Sequence, residues 1–158
     1  MKKIYFASPL FSNMELKYNA TLVQEIREAY PNVRVFLPQE AGEINDKQSY
    51  ADSKLIAKYD TEKVLESDLL IAVLDGSVID AGVASEIGVA YAKGIPCLGL
   101  YTDSRQQGYD NIKKIEALSE VAESQFPYAN LYTIGLIKLN GEVVNDEKLL
   151  LNAIGKYL

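Results

Sequence analysis

The stretch that decides the fold spans residues 69–101 and reads LLIAVLDGSVIDAGVASEIGVAYAKGIPCLGLY. Its first six residues, Leu69 to Leu74, are all apolar, which is typical of a strand buried on both faces of a sheet. The pattern then predicts a helix over Val83 to Ala92, ended by Gly94, and a second buried strand over Ile95 to Tyr101. Strand, helix and strand in this order indicate two parallel strands joined by a crossover helix.

The same alternation extends to both ends of the chain. Beyond the central unit, the pattern predicts strands Ile4–Ala7 and Val33–Leu37, a mobile loop Glu40–Asp52 and a polar loop Asp103–Gly108. The predicted helices are Glu15–Tyr30, Lys54–Ser67, Ile112–Glu123 and Asp146–Leu158, the last with Asn145 as N-cap. The segment Asn130–Leu139 fits a helix or a strand, because Gly135 and Asn140-Gly141 suit either, and we favour the helix. We therefore expect residues 1–158 to form a single α/β domain. Its fold would be a doubly wound, mostly parallel sheet in a three-layer sandwich of the flavodoxin or Rossmann type, with ligands bound at the carboxyl ends of the strands.

Composition excludes several classes of function. The 158 residues carry 16 Lys and Arg against 22 Asp and Glu, a net charge of −6, which argues against sequence-independent nucleic-acid binding. Because the chain has no histidine, it can form no Ser-His or Cys-His catalytic pair and no His-ligated zinc site. Cys97, the single cysteine, lies in an apolar run and is expected to be a buried, inert thiol of a cytoplasmic protein. No run approaches the ~18–20 apolar residues that cross a membrane.

Carboxylates are the remaining candidates for acid–base or nucleophilic chemistry. Asp80 comes just before the predicted helix and Glu86 lies inside it, among small and apolar residues where a buried carboxylate usually has a partner or a task. A purely structural interpretation makes Asp80 an N-cap and Glu86 a solvated helix residue. Asp60 likewise fits a surface residue paired with Lys63 or Lys54.

Four segments, in this order, resemble the nucleoside 2-deoxyribosyltransferases. They are Ile4-Tyr5-Phe6-Ala7-Ser8-Pro9-Leu10-Phe11, Tyr59-Asp60 leading to Ser67-Asp68-Leu69-Leu70, Asp80-Ala81-Gly82-Val83-Ala84-Ser85-Glu86-Ile87-Gly88, and Asn130-Leu131-Tyr132. The resemblance covers roughly residues 3–140 and is most specific in the third segment. It implies an enzyme that exchanges the base of a 2'-deoxyribonucleoside for a free nucleobase, with overall retention and with neither a metal nor an organic cofactor.

The resemblance also implies a role for individual residues. Glu86 would be the nucleophile that forms a deoxyribosyl-enzyme, Tyr5 would orient its carboxylate, and Asp60 would be the proton donor or acceptor for the base. The predicted substrate-binding residues are Asp80 and Gly82 at the sugar, Gln39 at the base, and Ser8, Asn130 and Tyr132. Asn130 would act across a subunit interface, which implies a homo-oligomer built on dimers, up to a hexamer.

Three departures and two alternatives accompany this interpretation. Tyr132 is larger than the side chain expected there, the loop from Asp103 to Gln125 is longer than a transferase needs, and the chain ends Lys156-Tyr157-Leu158 rather than in Tyr. One alternative is a 2'-deoxynucleoside 5'-phosphate N-hydrolase of the same fold, for which Ser8, Ser12 and Ser85 are phosphate-binding candidates. Against it, the three arginines of the chain all lie outside the motifs. The other alternative is a non-catalytic nucleotide-binding module.

Overall fold

The structure, a computed structural model, describes residues 1–45 and 52–158, without the side chains of residues 43 and 45. The strands of the described residues are β1 Lys2–Ala7, β2 Val33–Phe36, β3 Leu69–Val73, β4 Cys97–Leu100 and β5 Gly141–Val144. The helices are α1 Asn13–Ala29, α2 Gly42–Asn45, α3 Ser53–Leu65, α4 Ala81–Lys93, α5 Ile112–Glu116, α6 Leu131–Leu139 and α7 Glu147–Ile154, with 3-10 turns at Pro38–Glu40, Ser104–Gln106 and Ala117–Ser119.

The strands form one parallel sheet in the order β2-β1-β3-β4-β5. All five residues of β3 are buried, as its continuous apolar sequence predicts. Alternate residues of β1 point to opposite faces of the sheet. Ile4 and Phe6 pack against α1 and α7, and Tyr5 and Ala7 face α3, α4 and α6. The predicted doubly wound α/β sandwich is therefore confirmed, and it places Tyr5 on the face of the sheet that α4 covers.

The prediction missed one strand, β5. Gly141–Val144 forms the edge of the sheet next to β4. A single residue, Asn140, separates it from the end of α6. The edge needs a glycine, because a Cβ at Gly141 would collide with the carbonyl oxygen of Cys97. A strand of four half-buried residues is too short to show a period in the sequence.

Three other expectations were wrong in their bounds. The helix predicted over Ile112–Glu123 ends at Glu116, followed by the 3-10 turn, and Ala122 has a φ of 67°, which no helix continues through. Asp146, not Asn145, is the N-cap of the last helix, because its Oδ1 accepts the Leu149 N–H at 2.8 Å; that helix stops at Ile154. The predicted loop Glu40–Asp52 contains α2, and its residues 46–51 lie outside the described residues, as does the mobility expected there.

Candidate active site

Glu86 and Tyr5 form the centre of the site. Glu86 lies in the second turn of α4, and Tyr5 reaches it from the middle of β1. The Tyr5 hydroxyl donates a hydrogen bond of 2.6 Å to Oε1 of Glu86, and the Tyr5 side chain is fully buried. The structure thus brings together two residues that lie 81 positions apart in the sequence, and the interpretation of Glu86 as a solvated helix residue does not hold.

The environment of Glu86 brings the titration of its carboxyl group close to neutral pH. Burial raises the pKa of Glu86 to about 7, the nearby charges of Asp60 and Asp80 add to the rise, and the hydrogen bond from Tyr5 opposes it. The pKa of Tyr5 is raised far above its ordinary value, first by burial and then by the charge of Glu86. Tyr5 therefore stays a hydrogen-bond donor over the physiological range, and Glu86 is the group that titrates.

A cavity of about 220 Å³ opens beside this pair. Asp60 and Ser85 line it together with Gly82 and Glu86, and its remaining walls come from α3 and α4: Ile56, Ala57, Thr61, Val64 and Val89. The charge of Asp60 raises the pKa of both Tyr5 and Glu86, so the two carboxylates act on each other. Lys63, one of the partners considered for Asp60, has its Nζ 3.8 Å from Glu66.

The aromatic rings of Phe36 and Tyr59 form a row that begins at Tyr5. The ring of Phe36 lies 5.4 Å from the ring of Tyr5, and the ring of Tyr59 lies 6.0 Å beyond Phe36, centroid to centroid. Phe36 was not among the predicted site residues. Its place follows from the register of the sheet, which pairs Phe36 directly with Tyr5, and a single sequence does not reveal register.

Asp80 and Gly82 lie at the start of α4, where Gly82 lines the cavity. Asp80 is the N-cap, as the structural interpretation predicted, because its Oδ2 accepts the N–H groups of Gly82 at 2.9 Å and Val83 at 3.1 Å. A Cβ at Gly82 would lie 3.0 Å from that same oxygen. Glycine therefore avoids a close contact with the capping carboxylate and adds no side chain to the cavity wall. Contact of Asp80 with a sugar stays a prediction.

Gln39 and Ser8 lie at the same edge of the sheet but do not line the Glu86 cavity. Gln39 Oε1 accepts a hydrogen bond from Asn19 Nδ2 at 3.1 Å, and Gln39 Nε2 donates to the Leu16 carbonyl at 2.9 Å. The buried Ser8 Oγ has no hydrogen-bond partner among the described residues. Asn19 was predicted only as a member of the buried helix face, and an amide at an apolar position is the signal that could have singled it out.

Asn130 and Tyr132 lie at the start of α6 and are exposed. Asn130 is the exposed N-cap of α6, its Oδ1 accepting the Thr133 N–H at 3.1 Å, and it lines a separate cavity of about 240 Å³ with Ala84. Tyr132 is 76% exposed. Neither residue lines the Glu86 cavity of a single chain.

The part of the chain that the structure describes holds no cluster of three or more His, Cys, Asp or Glu side chains arranged to hold a metal ion. The buried Cys97 thiol has a pKa raised to about 12 by burial, as expected of an unreactive cysteine. None of the described helices is long and apolar enough to cross a membrane.

Comparison with known proteins identifies a family and several structures of similar fold. A family model described as nucleoside 2-deoxyribosyltransferase matches residues 4–154. The crystal structure of a conserved protein from Enterococcus faecalis V583 is 64% identical, with a TM-score of 0.95 over 100% of this chain and 99% of that one. No curated protein matches significantly.

Two more distant structures share the fold. A 2-deoxyribosyltransferase from Bacillus psychrosaccharolyticus is 22% identical, with a TM-score of 0.63 over 95% of this chain and 90% of that one. A CMP N-glycosidase from Clostridium botulinum is 18% identical, with a TM-score of 0.51 over 99% and 100%. At these identities the likeness is one of fold, and it is shared by a transferase and an N-glycosidase. The acceptor of the sugar must therefore be argued from the site.

Proposed function

This chain belongs to the nucleoside 2-deoxyribosyltransferase family, and from that premise we propose that it exchanges the base of 2'-deoxyribonucleosides through a covalent deoxyribosyl intermediate on Glu86. The observation that carries the proposal is the hydrogen bond of 2.6 Å between Tyr5 and Glu86 at a cavity that Asp60 also lines. Such a cavity supplies a nucleophile, a group that orients it and an acid, without a histidine.

The first step cleaves the bond between sugar and base. A Glu86 oxygen bonds to the anomeric carbon while the bond from that carbon to the base nitrogen breaks, and the electron pair leaves with the base. A nucleobase is a poor leaving group as an anion, so Asp60 in its acid form gives it a proton. The sugar becomes oxocarbenium-like on the way, and the Glu86 carboxylate stabilises that charge before it bonds.

The second step reverses the first with a different base. Asp60, now a carboxylate, takes a proton from the incoming base, whose nitrogen displaces Glu86 from the anomeric carbon. Two displacements at one carbon give overall retention, and departure of the first base before the second binds gives ping-pong kinetics. Both steps use the proton on Asp60 and the charge on Glu86, so we assign no cofactor and no metal to the reaction.

The raised pKa of Glu86 fits this role. A carboxylate in an apolar setting is a stronger nucleophile toward a cationic centre than a solvated one, and it becomes fully available only above about pH 7. Tyr5 offsets part of the cost of burying the charge by donating to it. We assign the sugar hydroxyls to Asp80, with Gly82 allowing close approach, and the base to Gln39.

The pattern of charges favours a nucleoside over a 5'-monophosphate. Neither Lys nor Arg lines the Glu86 cavity or the Asn130 cavity among the described residues, although phosphate binding usually employs them. Two serines considered for phosphate have other hydrogen bonds. Ser12 Oγ accepts the Glu15 N–H at 3.2 Å, and Ser85 Oγ donates to the Ala81 carbonyl at 2.9 Å.

The test is base exchange, followed by chromatography of the products. Wild-type protein is incubated with deoxyinosine and excess adenine, beside Glu86→Gln and a matched control, Glu25→Gln, which makes the same change at an exposed position of α1. We expect deoxyadenosine from wild type and Glu25→Gln only. Free hypoxanthine without deoxyadenosine would instead make water the acceptor. Absence of turnover with nucleosides and with deoxynucleoside monophosphates would leave the binding module.

We also propose that a neighbouring subunit completes each site with Asn130 and Tyr132, because both are exposed on a single chain and neither lines the Glu86 cavity. Mixing two inactive variants tests this. In a mixed oligomer of Asn130→Ala and Glu86→Gln, some sites combine an intact Glu86 from one chain with an intact Asn130 from the other, so activity should reappear. No recovery in an oligomer shown to exchange subunits would contradict shared sites.

A further inference from the structure

Asn19 connects the two segments that follow β1 and β2 at one edge of the sheet. It lies in the second turn of α1 with only 1% of its surface exposed. Its Nδ2 donates to the carbonyl of Pro9, in the loop after β1, at 2.9 Å, and to Oε1 of Gln39, in the turn after β2, at 3.1 Å. A buried amide is unfavourable unless it is hydrogen-bonded, and here both bonds reach away from the helix that carries it.

These contacts fix which way round the Gln39 amide points. The chain of hydrogen bonds begins at the Pro9 carbonyl and ends at the Leu16 carbonyl, which accepts from Gln39 Nε2 at 2.9 Å. A carbonyl oxygen only accepts. Rotating either amide by half a turn would set an oxygen against a carbonyl at one end, so one orientation of both amides satisfies every group.

A fixed amide presents a fixed pattern to a ligand. Gln39 Nε2 carries a second N–H, and Oε1 has a second lone pair, beyond the bonds to α1. An amide used in this way pairs with a base edge that offers one acceptor and one donor in matching order, as glutamine does with adenine. A base with an oxo group in place of the amino group presents a different order along the same edge.

We infer that Asn19 is a positioning residue that sets base choice, by holding the Gln39 amide in the one orientation that distinguishes amino-bearing from oxo-bearing bases. The inference rests on the proposed function, because it assumes that Gln39 contacts the base during exchange. It goes beyond that function in assigning the discrimination to a buried residue that touches no substrate.

The experiment is a competition in one reaction vessel. Deoxyguanosine serves as donor, adenine and hypoxanthine compete as acceptors, and the ratio of deoxyadenosine to deoxyinosine is measured at early times. This ratio is independent of the amount of folded enzyme, so a purely structural defect does not change it. The variants are Asn19→Leu and Asn19→Asp, neither of which can donate to Gln39, together with Gln39→Leu. Thr21→Val, at an exposed position of the same helix, is the control.

We expect the wild-type ratio to depart from one by about fivefold or more, the low end of what a bidentate amide contributes. Both Asn19 variants and Gln39→Leu should bring the ratio close to one, and Thr21→Val should keep the wild-type value. An Asn19 variant with reduced turnover but the wild-type ratio would overturn the inference, as would an active wild type with a ratio near one. If wild type exchanges no base at all, the proposed function fails first.

Discussion

Replacing Glu86 with Gln should stabilise the protein at alkaline pH while it abolishes catalysis. The ordinary pKa of a glutamate, 4.5, is raised by burial to about 7 in the folded protein. Between these values the folded state holds a proton that the unfolded state has released, so stability falls as pH rises through this window. At about 1.4 kcal/mol per pH unit, this difference in pKa corresponds to a destabilisation of ~3 kcal/mol. The destabilisation is complete above about pH 7 and absent below about pH 4.5.

The substitution isolates this effect because glutamine retains an oxygen that can accept the hydrogen bond from Tyr5. The free energy of unfolding is measured by urea titration of wild type, Glu86→Gln and the exposed control Glu25→Gln at pH 4.5 and pH 8. We expect equal stabilities for wild type and Glu86→Gln at the lower pH, and an advantage of up to ~3 kcal/mol for Glu86→Gln at the higher pH. A Glu86→Gln protein that is no more stable than wild type at pH 8 would refute the claim that Glu86 is ionised at a cost.

Three further substitutions test the site and the sheet. Tyr5→Phe removes the hydrogen bond that lowers the pKa of Glu86, so that pKa should rise by about one pH unit. The acidic limb of a profile of kcat/KM against pH should move to higher pH by the same amount, and an unmoved limb would show that Tyr5 does not act on the nucleophile. Asp60→Asn should lower kcat by about 10²–10⁴-fold for ordinary bases, the usual contribution of a general acid, and much less for a nucleoside whose base leaves without a proton; equal losses for both in steady-state assays would argue against proton transfer. Gly141→Ala should cost about 1–3 kcal/mol of unfolding free energy, because its methyl group would meet the Cys97 carbonyl. Gly135→Ala, inside α6 with open space around it, should instead stabilise the protein by about 0.5–1 kcal/mol; similar urea midpoints for the two variants would mean that β5 does not pack as described.

The elements that the sequence predicted well are those whose burial is continuous. β3 is apolar throughout because helices cover both its faces, and Glu86 stood out because small and apolar residues surround it in α4. The element that escaped prediction, β5, is held by backbone pairing with β4 at the edge of the sheet. Backbone hydrogen bonds are independent of side-chain chemistry, so four half-buried residues leave little trace in the sequence.

The site residues divide in the same way. Motif resemblance and local burial were enough to single out Tyr5, Glu86 and Asp60. Glu86 and Asp60 line one cavity of a single chain, and Tyr5 donates a hydrogen bond to Glu86. Gln39 was predicted from the family resemblance, but its hydrogen bonds depend on Asn19 and Leu16, which the sequence places in a different element. No local pattern encodes that contact, because it arises only when α1 packs beside the turn after β2.

The absence of histidine explains why burial matters so much in this chain. Without histidine, a side chain that titrates near neutral pH must be a group with a shifted pKa, because an exposed carboxylate is fully ionised at that pH. Desolvation raises the pKa of the Glu86 carboxyl group into that range, and small and apolar residues flank Glu86 along α4. The same desolvation destabilises the folded state once Glu86 ionises, and the hydroxyl of Tyr5 limits the cost. On this reasoning, the loss of stability at alkaline pH and the proposed nucleophilic role have one physical origin, the buried charge of Glu86.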